Sequence, residues 1–290
     1  MLEAVPNVSE GRDDAILATL ERAFARNASV LDVHTDPDHN RAVFTLVGEP
    51  ASLADALLAG IAAAVALVDL RTHSGVHPRV GAVDVVPLVP FPHDDMELAK
   101  ATARSVAARI GEELGLPVFL YGEIGSGHRP AYFRRGGLEE LVRRVEIGEL
   151  TPDAGPRRID PRSGVVLVGA RRPLIAYNID LETDDLDVAR EIAAVVRESG
   201  GGMLGVQAIG LYLPSSGRVQ VSMNIVDIER APLHEVVERV GAEAKARGVA
   251  VSGGELVGLA PESVLRAART AGVQVPAFDE SRVLERVLGS

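Results

Sequence analysis

The chain has 290 residues, 47% of them hydrophobic and 24% charged, which is enough to bury a core and excludes an extended disordered protein. It contains no cysteine, so a disulfide framework, a thiolate nucleophile and any Cys-ligated zinc or iron–sulfur site are excluded. Forty-one acidic against thirty basic side chains give a net charge of −11, which argues against nucleic acid as a partner.

The first residues lack a basic segment leading into an apolar run, so no secretory signal is read there and a cytoplasmic location is expected. Residues 3–9 read as a short strand. Ile16, Leu17, Leu20 and Phe24 recur at three- and four-residue steps and predict an amphipathic helix over 13–27. Two strands follow, over 29–34 and 41–47, joined by the turn formers of 35–40. A helix is predicted over 52–70. Its uncharged apolar run, 56–68, falls short of the roughly 20 residues that span a bilayer, so no membrane is expected. A strand over 83–89 closes a β-α-β-β-α-β order.

A helix over 96–114, a strand over 117–121, a loop over 122–130 and a helix near 138–145 come next. Residues 151–164 have no usable period and are rich in Pro, Gly and Arg, as an inter-domain connection would be. The β-α-β-β-α-β order then repeats: a strand over 175–181, a helix over 185–199, strands over 206–213 and 218–226 joined by a hairpin turn at 214–217, a helix over 232–247 and a strand over 249–252. Helical stretches over 262–271 and 281–287 end the chain. The expected fold is α+β: two ferredoxin-like subdomains, duplicated, with helical additions, divided as 1–164 and 165–290.

Six of the seven histidines fall in the first half: His34, His39, His73, His77, His93 and His128. Imidazoles titrate near neutral pH, as acid–base catalysis requires. His73 and His77 are spaced like a helical metal pair, but Gly75 and Pro78 oppose a continuous helix, so no metal is expected. The stretch from Thr72 to Asp84 reads instead as a loop entering a strand. A His beside an Arg on such a loop can move a proton while the cation holds an anionic substrate, although a plain surface turn has the same signature. The Asp- and Asn-rich turn from Asp32 to Arg41 is equally consistent with self-bonded turn chemistry. Arg157, Arg158, Arg162, Arg171 and Arg172 concentrate positive charge in an acidic chain, which a carboxylate-bearing ligand would use.

Several stretches together resemble the formiminotransferase domain family. They are Val5-Pro6-Asn7-Val8-Ser9-Glu10-Gly11, Asp38-His39-Asn40-Arg41, His77-Pro78-Arg79-Val80-Gly81-Ala82 and Leu120-Tyr121-Gly122-Glu123. Val168-Gly169-Ala170-Arg171, Leu174-Ile175-Ala176-Tyr177-Asn178, Gln220-Val221-Ser222-Met223-Asn224 and Leu256-Val257-Gly258-Leu259 continue the match in order. The resemblance implies a tetrahydrofolate tunnel between two subdomains and transfer of a formimidoyl group from N-formimidoyl-L-glutamate to N5 of tetrahydrofolate, a step of histidine degradation. It implies the free-standing form without a cyclodeaminase domain, and a homodimer.

By the same resemblance His77 is the general acid/base. The folate-contacting loop falls on Gly155, Pro156, Arg157, Arg158, Ile159, Asp160, Pro161, Arg162, Ser163 and Gly164. Asn7, Ser9, Glu10, Asn40, Arg41 and Arg79 are expected at the substrate. Two positions depart from better-known members, which carry Glu where Val76 stands and Asp where His34 stands, leaving Asp36, Glu10 and Asp84 as candidate partners of His77. These departures also leave room for a related folate-dependent formyl or acyl transferase with another donor, or for a non-catalytic folate-binding protein. An amidine protonates readily, so the electrophile needs no metal, and one imidazole titrating near 7 could take the N5 proton and return it to the departing nitrogen.

Overall fold

In the computed structural model, which describes every residue except 92–94, 274, 277 and 290, the strand expected over 3–9 is broken at Pro6. His93 lies outside the described residues. Leu2–Ala4 forms β1 and Asn7–Val8 forms β2. Proline has no N–H for a ladder, but its carbonyl accepts the Phe44 N–H at 3.0 Å. Asp13 opens α1 (Asp14–Phe24), accepting the N–H groups of Ala15 and Ile16 at 2.9 and 3.0 Å. The hairpin strands β3 (Ser29–Asp36) and β4 (Arg41–Gly48) lead into α2 (Pro50–Leu67), and β5 (Val83–Pro90) completes the expected order.

Then come α3 (Met96–Glu113), β6 (Val118–Tyr121), α4 (Pro130–Arg134), α5 (Gly137–Glu146) and β7 (Val166–Ala170). Two of these are absent from the sequence reading. The helix α4 is a single turn, too short to show a period. All of β7 is buried and reads as an unbroken apolar run, as strands covered on both faces do. It pairs in parallel with β5 and β6.

The molecule is a mixed α+β protein with two sheets among the described residues. In the first, β3 lies on β4, β4 pairs with both β1 and β2, these pair with β5, and β7 and β6 extend the far side. The two compact units divide between Arg172 and Pro173, not between Gly164 and Val165 as expected, because β7 carries the chain back into the first sheet before it leaves.

By length and composition α2 could cross a membrane, with a mean hydropathy of 1.8. Its Leu53, Leu57 and Ile61 are fully buried in the core of the first unit, alongside Leu2, Phe44 and Leu46. Gly60 is required there: a Cβ would stand 2.0 Å from the ring of Phe24. That ring packs on Phe44 with centroids 4.9 Å apart.

The second unit follows the same order: β8 (Ile175–Leu181), α6 (Leu186–Val196), β9 (Val206–Leu213), β10 (Arg218–Ile225), α7 (Leu233–Ala246) and β11 (Val251–Val257). The hairpin turn expected at 214–217 forms, closed by the Gly217 N–H to Leu213 carbonyl bond at 3.0 Å. Its sheet order is β11-β8-β10-β9, every pairing antiparallel. The inward faces of Ile175, Tyr177, Ile179, Val219 and Val221 form a separate core with α6 and α7. The last helices are α8 (Glu262–Ala271) and α9 (Leu284–Gly289).

Candidate functional site

Three segments far apart in sequence meet at one end of the first sheet: the stretch around β2, the β3–β4 turn, and the loop between α2 and β5. The turn is shaped first by its own chemistry. Asp36 Oδ1 accepts the N–H groups of Asp38 and His39, both at 2.8 Å, closing an Asx-type turn. Asn40 adopts the left-handed region at φ 47°, which asparagine tolerates better than most residues. Its buried amide then joins the other two segments. Oδ1 accepts the Gly11 N–H at 2.9 Å, and Nδ2 donates to the Ser74 carbonyl at 3.0 Å.

The loop is tied down along its length. Val76 N–H donates to the Asp38 carbonyl at 3.0 Å, and His73 Nε2 lies 3.0 Å from the Asn40 carbonyl. Gly75 presses so close that a Cβ would stand 2.3 Å from the His39 carbonyl oxygen, so no larger residue fits. These contacts deliver His77 to the turn.

The resulting pocket is lined by Val8, Ser9, His39, Asn40, Arg41, His77, Arg79 and Asp84. His77 Nδ1 is 2.8 Å from the Pro78 carbonyl, a bond in which the ring nitrogen donates and which leaves Nε2 with the lone pair. Arg41 Nη1 stands 2.8 Å from Nδ1 and 2.9 Å from Nε2. The His39 ring packs beside that of His77, centroids 5.6 Å apart. Desolvation, then the charges of Arg41, Arg134 and His39, hold the His77 imidazole well below its ordinary pKa of 6.5. It is therefore a neutral base at physiological pH.

Arg41 is itself pushed down to about 9 by burial and by Arg134, with Asp84 and Asp36 opposing, and stays a cation at neutral pH. Its other amino group donates to Asn7 Oδ1. Burial likewise lowers the pKa of Arg79, whose Nη2 donates to the Gly75 carbonyl at 2.6 Å. Ser9 Oγ donates to the Gly81 carbonyl at 2.7 Å, which pins the strand entry beside the pocket. Asp84 accepts the Val80 N–H at 2.9 Å and pairs with Arg134. Among the described residues no three His, Cys, Asp or Glu side chains are grouped as a metal ion would need.

Five of the expected residues, Ser9, Asn40, Arg41, His77 and Arg79, thus line one pocket, and Asn7 reaches it through Arg41. Glu10 does not line it. Its Oε1 accepts the N–H groups of Arg12 and Asp13 at 2.7 and 3.0 Å, serving the chain as it enters α1. Among the described residues His77 contacts Arg41, Pro78 and His39, and none of the three candidate carboxylates. Asp36 is turned to His39 and Asp84 to Arg134. His34 lies on β3 opposite Val43.

None of residues 155–164 lines the pocket, but their end is fastened to its floor: Ser163 carbonyl accepts the Ala82 N–H at 2.8 Å and Val165 N–H donates to the Val80 carbonyl at 3.0 Å. Arg157, Arg162 and Arg171 direct guanidinium donors at the carbonyls of Val145, Ala66 and Arg172. Sequence reasoning passed over Arg134, and His39 beyond its place in a motif. A one-turn helix and a turn histidine carry no periodic signal, and only the folded chain brings them to His77.

Comparison with known proteins follows the same division of the chain. Residues 1–171 match the family described as the formiminotransferase domain, N-terminal subdomain, and residues 176–274 match the formiminotransferase domain. The chain is 39% identical over 297 residues to a glutamate formimidoyltransferase from Streptococcus pyogenes serotype M1, covering 99% of this chain and 98% of that one. It is 38% identical over 295 residues to a glutamate formimidoyltransferase from Thermoplasma acidophilum, covering 99% and 96%. A formimidoyltransferase-cyclodeaminase from Gallus gallus is 39% identical over 276 residues, which is 91% of this chain and 51% of that protein.

Proposed function

We infer the activity from the premise that the chain belongs to the formiminotransferase domain family. It is a glutamate formimidoyltransferase: it moves the formimidoyl group of N-formimidoyl-L-glutamate to N5 of tetrahydrofolate, releasing L-glutamate and 5-formimidoyltetrahydrofolate. The observation that carries this reading is end-to-end similarity to relatives named for that activity. A desolvated, neutral imidazole at His77, within a stretch that carries the resemblance, supports it.

The chemistry follows from those groups. N5 attacks the amidine carbon and forms a tetrahedral centre bearing three nitrogens. As the new C–N bond forms, N5 must lose a proton, and His77 Nε2 is the base that takes it. The bond to the glutamate nitrogen then breaks, and that nitrogen must gain a proton to leave as an amine. Arg41 and Arg79 are read as the clamp for a substrate carboxylate, and their bonds to Asn7 and the Gly75 carbonyl support that reading. Ser9 and Asn40 hold the walls in place, so that binding spends little on reorganisation.

Residues 155–164 are taken as the folate-contacting segment. In support, their last residues are tied to 80–82, so this segment and the His77 loop share an anchor. The two units are read as ferredoxin-like. The order β11-β8-β10-β9 is the 4-1-3-2 arrangement of a βαββαβ unit, and β5, β1 with β2, β4 and β3 repeat it. A homodimer is part of the same proposal, and sedimentation reads it directly.

The test is a steady-state assay with N-formimidoyl-L-glutamate and tetrahydrofolate, run beside N-formyl-L-glutamate. Formation of 5-formimidoyltetrahydrofolate is the expected result. Turnover with the formyl donor alone would overturn the assignment of donor.

A further inference from the structure

The pocket holds two imidazoles, and the transfer involves two proton movements on one carbon. His77 faces cations: Arg41 touches both ring nitrogens, and the charge of Arg134 also reaches the ring. His39 faces an anion. Its Nδ1 lies 3.6 Å from Asp36 Oδ2, ion-pair distance when the ring is protonated, with side chains only 8% and 16% exposed. The other Asp36 oxygen is fixed by two backbone N–H groups, so the carboxylate is not free to turn away. Two like groups with opposite surroundings are how one site provides a base and an acid together.

We propose that His39, held by Asp36, is the general acid that protonates the departing glutamate nitrogen, while His77 is the base that relieves N5 of its proton. This rests on the formimidoyl-transfer reading and divides its proton transfers between two residues. The N5–C bond forms and the N5 proton passes to His77 Nε2. The C–N bond to glutamate breaks, its electron pair stays on nitrogen, and that nitrogen takes the proton from His39 Nε2. The proton left on His77 returns to His39 through solvent, so no other reagent is consumed.

Asp36 from its own turn and His77 from the loop stand against His39, while Arg41 from β4, Arg79 from the loop and Asp84 from β5 line the same pocket. Asp36 faces Nδ1 at ion-pair distance, the side on which a carboxylate charge-balances an imidazole in other acid–base pairs. The proton to be given is therefore the one on Nε2.

The experiment varies the leaving group. From either donor the nitrogen leaves as an amine only with a proton. The weakly basic aniline of an N-formimidoyl aminobenzoate, however, is the better leaving group and depends less on a positioned acid than the basic amine of N-formimidoyl-L-glutamate. His39→Gln is expected to lower kcat about 100-fold with the glutamate donor, in the range of a lost general acid, and only a few-fold with the aniline donor. His77→Gln should depress both. In the unmodified chain the fall of kcat at high pH should be larger with the glutamate donor than with the aniline donor, a readout that needs no variant to fold. Equal losses with both donors in His39→Gln, or an equal high-pH fall with both, would overturn the inference alone. An unmodified chain that transfers nothing from N-formimidoyl-L-glutamate would overturn the underlying reading as well.

Discussion

The two units place a hairpin at the same point in their element order and use it differently. In the second unit the connection from β9 to β10, Pro214-Ser215-Ser216-Gly217, is exposed, and Gly217 supplies the positive φ of 65°. In the first unit the connection from β3 to β4 buries His39 and Asn40 to 6% exposure each and is bonded to two other segments. Buried polar side chains follow the same split. The first unit buries Asn7, Ser9, His39, Asn40, Thr45 and Asp84 near its sheet end, while the second buries Asn178 and Gln220. Burying polar groups is costly unless each finds a partner. The first unit meets that cost at the candidate site with bonds to two other segments, and the second keeps an ordinary turn.

His77→Ala should have the largest effect, lowering transfer by at least about 100-fold while leaving the melting profile close to that of the unmodified chain. Activity within a few-fold of the starting value would remove the functional half of the contrast. Asn40→Ala comes next. It strands the Gly11 N–H and the Ser74 carbonyl, each costing about 1–3 kcal/mol when buried and unpaired. Ser216→Ala in the second hairpin should change stability by no more than about 0.5 kcal/mol. Denaturant melts of the two variants measure the difference between the turns, and equal losses would erase it.

The pH profile sharpens the comparison without any substitution. His77 is depressed in the folded chain, so the unfolded chain protonates first as pH falls below 6.5. Its share of stability is complete above that pH and is lost on descending toward the folded-state pKa. For the same reason the acid limb of kcat/KM should lie below pH 6.5, and a limb at or above it would show that burial and the neighbouring cations do not depress the ring. The smallest expected effect on activity is that of Glu10→Ala. Loss of its bonds at the start of α1 should cost about 1 kcal/mol and leave kcat and KM within two-fold, as thermal melts and the transfer assay would show.

Much of the architecture is legible in the chain because it is local. The three- and four-residue steps of Leu17, Leu20 and Phe24 locate α1, and the turn formers of 214–217 locate the second hairpin. The errors have physical causes too. Pro6 splits a strand whose two halves share the same neighbours, α4 is shorter than a period, and β7 lacks alternation because it is covered on both sides.

The site divides along the same line. Sequence alone determined that His77 sits on a Gly- and Pro-bounded loop and that Asn40 and Arg41 follow a turn, because motif and backbone preference act over a few residues. Only the tertiary structure decided that Arg41 rather than a carboxylate would touch His77, that Asp36 would turn to His39, and that Glu10 would serve α1. Those choices depend on which charges burial forces together across dozens of residues, and a desolvated charge takes the partner that packing brings to it.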